Sequence, residues 1–333
     1  MPHHISLAVI GTTSSGKSAL INTFCGRFLM PVGVQETTLC VSEITHAPSQ
    51  RTVDIISRGI MEQRKSFSSD YEARTYIENI HDQVKSVSNG HVTRNAVSCH
   101  FSSDFLNLKP LTWRKLLSRI RYQRPVKSAQ SEITILDIPG YKYDGDEQHW
   151  KIMLTCLREH ATIIFLFNAE ETDSVKEDKL LRRLLTHQRN QGKSWRDICF
   201  VLNRCDALFR DSDEPFAFQK KRDALSARLS KHIRSIFTQE GRPNIYMLSS
   251  LPMMCGEILF WNYDTLAEDD KNHLLTQASL WVNQLLNDAK CEQFPRSAKK
   301  WTYRHVESYR HEMMHCTYYD SLLRGLEEYL SRQ

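Results

Sequence analysis

Short, solid apolar runs alternate along this chain with longer stretches of helical spacing. Ile5–Ile10 is apolar and partly β-branched and stops at Gly11, the pattern of a strand buried on both faces. From Lys17 to about Phe28, Ala19, Leu20, Ile21 and Phe24 recur at helical intervals. Extended runs follow at Thr38–Thr45 and Thr52–Ser57, which are expected to pair with each other. Asp70–Val87 reads as an amphipathic helix stopped by Asn89-Gly90, and Val92–Phe101 returns to strand character. Three strand–helix alternations come next: Ile133–Leu136 with Gln148–His160, Thr162–Phe167 with Lys176–Gln191, and Ile198–Leu202 with Phe216–Phe237. A last strand, Ile245–Leu248, ends at Ser249-Ser250. From Cys255 the pattern is helical and polar outside, closing with Tyr318–Leu330. Strands alternating with helices of this length predict right-handed crossovers, hence an α/β fold whose mainly parallel sheet lies between two helical layers.

Composition narrows the class. With 41% hydrophobic and 25% charged residues the chain is not disordered. Its longest apolar run, Ala161–Phe167 broken only by Thr162, is far shorter than the roughly 20 residues a membrane helix needs. The N-terminal MPHHISLAVIG has no secretory-signal pattern, and nine scattered cysteines without a CxxC pair point to reduced thiols and a cytoplasmic setting. Lys plus Arg total 44 against 39 Asp plus Glu, a net charge of +5. Between Lys109 and Ser131 lie Lys109, Arg114, Lys115, Arg119, Arg121, Arg124 and Lys127 with no acidic residue, so the rest of the chain is slightly acidic.

Candidate chemistry sits at strand ends. Gly11-Thr12-Thr13-Ser14-Ser15-Gly16-Lys17-Ser18 matches GxxxxGK[ST] between a predicted strand and a predicted helix. Backbone N–H groups of such a loop, at a helix N-terminus, cradle phosphates. Lys17 would reach the β/γ oxygens and Ser18 Oγ would sit on Mg²⁺, with Ala19 completing the contact set. Asp137-Ile138-Pro139-Gly140 follows the Ile133–Leu136 strand; Asp137 suits a water-mediated hold on Mg²⁺, and the Gly140 N–H would lie at the γ-phosphate. Phe200–Leu202 then ends in Asn203-Arg204-Cys205-Asp206, a variant of the [NT]KxD guanine box. A carboxylate at Asp206 can accept from N1–H and N2–H₂ of guanine, donors that adenine does not present in that pattern. Asn203 would hold the loop and read the O6/N7 edge, and the Arg204 stem would cover a ring face. Ser249-Ser250 would supply a backbone N–H to O6. These residues predict a P-loop NTPase sandwich that binds GTP and GDP with Mg²⁺.

In the switch segment, Met30 to Leu39, the run GTTSSGKSALINTFCGRFLMPVGVQETTLC resembles the dynamin superfamily of large GTPases, above all bacterial dynamin-like proteins and mitofusins with their P-x-G-x-x-x-T-T pattern. YEARTYIENIHDQVKSVSNGHVTRNAVSCHF, Tyr71 to Phe101, is similar to the helix–loop–strand ahead of their DxPG box. The resemblance spans roughly residues 5–250 with gaps. It implies that Thr38 positions Mg²⁺ and the attacking water, with Thr37 as the alternative. It also implies that Ser14 takes part in charge compensation, including a monovalent cation, completed when two GTPase domains pair as a homodimer. Tyr141 after Gly140 agrees with the family's lack of a Ras-type Gln. Thr13 departs from the Gln of eukaryotic dynamins and is similar to mitofusins, which leaves the cation dependence open.

The resulting expectation is one dynamin-like GTPase domain over 1–333. It carries a basic insertion at 103–130, a helical insertion at 252–317 before the closing helix, and no stalk. The competing reading is a nucleotide-gated adaptor with negligible turnover that engages a partner protein or membrane. Trp113, Leu117 and Ile120 beside the cations of 109–127 fit either a surface insertion packed on the domain or contact with an anionic membrane or acidic partner, which would make the protein peripheral to a membrane; nucleic acid is the less favoured partner. His311-Glu312-Met313-Met314-His315 matches the HExxH pair of zinc proteases, but no third ligand stands at the usual distance, so these are read as surface or packing residues.

Overall fold

The computed structural model describes residues 4–32, 40–46, 51–57, 60–88, 96–101, 132–141, 147–157, 161–172, 174–210, 217–238 and 241–330. Nine strands among them form one sheet: β1 (His4–Gly11), β2 (Val41–His46), β3 (Arg51–Ser57), β4 (Ile60–Ser66), β5 (Ala96–Phe101), β6 (Glu132–Asp137), β7 (Ala161–Asn168), β8 (Ile198–Asn203) and β9 (Ile245–Met247), in spatial order β4-β3-β5-β2-β6-β1-β7-β8-β9. The run from β6 through β1, β7 and β8 to β9 is parallel throughout, and β2 pairs parallel with β5. Antiparallel pairs join β2 to β6, β3 to β5 and β3 to β4. The sheet is therefore mainly parallel, as the strand–helix alternation predicts. β3 does not pair with β2, contrary to expectation, because β5 lies between them and takes both partners.

The helices are α1 (Lys17–Cys25), α2 (Asp70–Ser88), α3 (Glu147–Leu157), α4 (Val175–Asn190), α5 (Cys205–Arg210), α6 (Ala217–Phe237), α7 (Ser250–Asn262), α8 (Glu268–Leu285), α9 (Asp288–Cys291), α10 (Tyr303–Cys316) and α11 (Tyr319–Leu330). Successive side chains of a strand point to opposite faces, and the central strands divide accordingly. Leu7, Val9, Ile164, Leu166, Cys199 and Val201 join one buried cluster with α1, α2, α7, α8, α10 and α11. Ala8, Ile10, Ile163, Phe165, Phe167, Ile198, Phe200 and Leu202 join a second with α3, α4 and α6. Both faces are covered, which is why these strands read as solid apolar runs rather than alternating ones. Residues 252–317 contribute Met253, Met254, Cys255, Ile258, Leu259, Trp281 and Tyr309 to the first cluster, so they build the helical layer over α1.

Two ion pairs, the first buried and the second partly so, fix this layer. Arg74 of α2 makes bonds of 2.7 and 3.1 Å to Asp270 of α8, and its guanidinium lies 4.0 Å over the Phe28 ring. Glu257 of α7 accepts from Arg310 of α10 at 2.9 Å and from Trp261 Nε1 at 2.8 Å. The Glu257 carboxyl is raised above its usual range by burial, against the pull of Arg310. Trp195, Trp261 and Trp281 serve packing, as expected for singly spread tryptophans: Trp195 and Trp281 are buried and Trp261 abuts Gly26. All nine cysteines are free thiols. Among the described residues no helix is long and apolar enough to cross a membrane.

His81 of α2 is buried, with Nδ1 3.6 Å from Cys40 Sγ. Burial pushes its imidazole down to about 4, against a smaller upward pull from Asp82. The unfolded chain takes up that proton near pH 6.5 and the folded chain does not. Stability is therefore lost as pH falls from about 6.5 to about 4, by about 3 kcal/mol from this group alone. We expect urea midpoints at pH 7, 5.5 and 4 to fall less steeply for His81→Gln than for the natural chain; parallel curves would refute the assignment.

Candidate functional site

β1 is a solid apolar strand that ends in a residue without a side chain, and the loop that follows must turn sharply into α1. Ser14 at φ 61° and Gly16 at φ 87° supply left-handed backbone on either side of Ser15. Gly16 is also a point of close approach: an added Cβ would lie 2.2 Å from Asn203 Nδ2. Lys17 opens α1 and is buried, its Nζ donating to Thr12 O at 3.1 Å across the loop. Thr12 Oγ1 and Ser15 Oγ are buried with no hydrogen-bond partner among the described residues. Buried hydroxyls without partners are uncommon in proteins. Beside backbone N–H groups at a helix N-terminus they suit a phosphate, so the residues present fit the expected ligand. Ala19 lies on the buried face of α1.

Asp137 ends β6 beside β1, in register with Val9. Ser18 Oγ donates to Asp137 Oδ2 at 3.4 Å, so the two oxygens expected to serve Mg²⁺ lie together. Oxygen donors of this kind suit a hard cation. The Asp137–Gly140 segment continues alongside the phosphate loop. Tyr141 N donates to Gly11 O at 3.3 Å, and Tyr141 bridges to Thr12 in the parallel sense. Gly140 stands so close that an added Cβ would meet Thr13 Cα at 2.9 Å and Thr13 N at 3.0 Å.

The residues expected to read the base follow β8. Asn203, wholly buried, donates from Nδ2 to Ser15 O at 2.8 Å and to Ser250 Oγ at 3.0 Å, and its Oδ1 accepts from Ser250 N at 3.1 Å. It holds the loop as expected. Reading a base edge as well requires the Ser250 Oγ contact to be exchanged. Asp206 is buried in the first turn of α5. Arg204 has φ 64°, and its guanidinium forms an ion pair with Glu170 at 2.6 Å. The two amides expected to offer an N–H to O6 are engaged within the protein: Ser249 N donates to Thr317 O at 3.2 Å and Ser250 N to Asn203. A contact from either to a base requires one of these bonds to break.

Sequence reasoning missed Glu170 and Glu177. Glu177 of α4 accepts from Asn168 N at 3.0 Å and from Arg228 at 2.7 Å, holding the end of β7 where Glu170 begins. Burial raises its carboxyl above the usual range, against the Asn168 and Arg228 bonds. Asn168-Ala169-Glu170 at the carboxyl end of a parallel strand was the available signal, since ligands bind there. Thr37 and Thr38, and the basic insertion with Lys109 through Lys127, lie outside the described residues.

The HExxH match lies on α10. His311 and His315 are exposed with rings 5.3 Å apart, Glu312 pairs with Lys290, and His315 Nδ1 lies 3.6 Å from Asp320. Among the described residues no group of three or more His, Cys, Asp or Glu could hold a metal. In this arrangement His311 and His315 are surface residues and Glu312 is engaged by Lys290.

Residues 7–205, more than half of the chain, match the model of the dynamin family. No curated protein matches the chain. Two solved structures are similar to it at 15% identity, with TM-scores of 0.47 and 0.46. Both come from work on an oligomerised bacterial dynamin pair that provides a mechanism for the long-range sensing and tethering of membranes. Each match covers 98% of this chain and 50% of the other, so the chain spans about half the length of those proteins.

Gly140→Ala drives a methyl group against Thr13 backbone and pushes the two segments apart. We expect nucleoside-triphosphate affinity to fall at least about tenfold by calorimetric titration, with far-ultraviolet circular dichroism unchanged. Undiminished affinity would show that the contact does not shape the site.

Proposed function

The chain belongs to the dynamin family, and from that premise we propose that this GTP-binding protein holds GTP with Mg²⁺ at the ends of β1, β6 and β8 and hydrolyses it, faster when two such domains pair. The observation that carries this reading is the Asn203 side chain. It ties the phosphate loop at Ser15 to the segment bearing Asp206 and to Ser250. Triphosphate cradle and base-reading carboxylate are thereby held as one site.

Phosphoryl transfer asks the protein for position and charge rather than covalent chemistry. Lys17, freed from Thr12 O, would neutralise β/γ oxygens, and the loop N–H groups would do so without reorganising. Mg²⁺, held by Ser18 and by Asp137 through water, would draw off charge developing on the phosphate oxygens. The Gly140 N–H would fix the γ-phosphate. Thr38 is proposed to orient the attacking water. Ser14, exposed at the left-handed apex of the loop, is proposed to share charge compensation, with or without a monovalent cation. Arg204 would cover one face of the purine while Glu170 holds its head. We read residues 1–333 as one GTPase unit working beside a membrane or partner, with 109–127 as the contact segment.

Two measurements test this. Asp206→Asn replaces an acceptor with a side chain that can also donate, matching the C2 carbonyl of xanthine. We expect about a hundredfold loss of GTP affinity and a gain for xanthosine triphosphate; an unaltered preference would remove Asp206 from the base site. Single-turnover hydrolysis measured across protein concentration should rise with concentration for the natural chain. Tight GTP binding without phosphate release at any concentration would instead favour the adaptor.

A further inference from the structure

The segments proposed to read the base, 203–206 and 248–250, are flanked on the far side by the corner between α10 and α11. The three successive amides of the second segment have three different acceptors. Leu248 N donates to Leu202 O at 2.9 Å, Ser249 N to Thr317 O at 3.2 Å, and Ser250 N to Asn203 Oδ1 at 3.1 Å. The first and third anchors belong to β8 and its end; the middle one is the C-cap residue of α10. Thr317 is wholly buried and braced, its N–H and Oγ1 both donating to Met313 O, at 2.9 and 2.6 Å. The next residue, Tyr318, has φ 60°, which reverses the chain into α11, and its carbonyl accepts from Ser321 N and Leu322 N. Its ring packs on Phe218 of α6, with centroids 6.4 Å apart, in the cluster that includes Cys205 and Leu208 of α5. One corner therefore reaches both segments: the Thr317 carbonyl directly on 248–250, and the Tyr318 ring by way of Phe218 and the cluster that also takes in Cys205 and Leu208 of the Asp206 helix.

Left-handed backbone is costly for a residue with a Cβ and persists only where its surroundings impose it. Of the four non-glycine residues with positive φ among those described, Ser14 and Arg204 lie in the nucleotide site and Tyr318 lies directly behind it. We infer that the α10–α11 corner is the back wall of the base pocket, with Thr317 and Tyr318 as positioning residues that set the distance between the Asp206 helix and the 248–250 segment. This rests on the reading of Asp206 as the base-binding residue. By linkage, what binds at the base also stabilises the corner, and what displaces the corner weakens base binding by the same factor.

The test compares two substitutions that both remove the ring and differ in tolerance of left-handed backbone. Tyr318→Val places a β-branched residue where it is strongly disfavoured, and Tyr318→Asn places one that adopts that conformation readily. In the full chain, Tyr318→Val is expected to raise the Kd for GDP about tenfold while leaving the Kd for inorganic tripolyphosphate, which has no base, within twofold. Tyr318→Asn, which tolerates the left-handed backbone but lacks the ring that packs on Phe218, should recover only part of the GDP affinity. In the absence of nucleotide, amide hydrogen exchange across 248–250 should be faster in Tyr318→Val than in the natural chain or Tyr318→Asn. Equal GDP affinity in both variants and the natural chain, or an equal loss for GDP and tripolyphosphate, would overturn the inference. A natural chain that binds no guanine nucleotide would sink the GTPase reading instead. The exchange measurement would still judge the corner, with unchanged exchange at 248–250 overturning it.

Discussion

A single buried amide holds the two halves of the candidate site together. The Asn203 side chain lies at the carboxyl end of β8, wholly buried, where an amide without partners would cost several kcal/mol. Its partners are Ser15 O in the phosphate loop and both the N–H and the hydroxyl of Ser250 at the start of α7. These groups come from two residues far apart in sequence, Ser15 and Ser250, so the amide is satisfied only when the loop after β1, the end of β8 and the segment after β9 are brought together. Gly16 has no side chain for the same reason, since a Cβ there would occupy the position of Nδ2. The spacing between the loop at Ser15, the segment bearing Asp206 and the start of α7 is tied to that requirement.

The sheet makes this possible because its central strands are parallel. β1, β6, β7 and β8 all end on one edge, bringing Gly11, Asp137, Asn168 and Asn203 to the same side of the molecule. Parallel strands buried on both faces cannot slip in register without moving a whole apolar set from one core to the other. The strand ends are thus stiff mounts for loops that must approach one another within van der Waals contact, as Gly140 and Thr13 do. The antiparallel strands β3 and β4 lie at the opposite sheet edge, away from the site.

The central half of this fold is legible in the sequence and the first-strand edge is not. The runs of β1, β6, β7 and β8 read directly because double-sided burial makes them uniformly apolar, and their ends carry motifs whose order is itself informative. β4, Ile60–Ser66, gives no such signal, because all seven of its residues are exposed and Glu62, Arg64 and Lys65 look like loop. It is a strand because β3 is already there, with Arg64 held by Asp54 of its neighbour in a two-bond ion pair. The insertion of β5 between β2 and β3 is invisible for a related reason: pairing across intervening residues depends on tertiary packing, not on local pattern. At the site, P-loop, DxPG and NRCD were readable as motifs. The corner at Thr317 acts through a backbone carbonyl, which any residue type would supply, and Glu170 through an ion pair that no spacing announces.

On the proposed reading, such carbonyls and ion pairs would convert a generic phosphate site into one with a defined base. The cradle is made almost entirely of backbone and of Lys17, and backbone N–H groups do not distinguish one nucleotide from another. On the proposed reading discrimination would fall to Asp206, and a carboxylate discriminates only if its distance from the cradle is fixed to a fraction of an ångström. Asn203 fixes it from the phosphate side. From the other side, α5 is too short, at six residues, to hold itself. Its Cys205 and Leu208 belong to the cluster built by β7, β8, α4 and α6, to whose margin Phe218 and Tyr318 also pack. Selectivity would therefore depend on residues more than a hundred positions downstream of the NRCD motif, and the helical layer built by α7 to α11 would be part of the recognition apparatus rather than an addition to it.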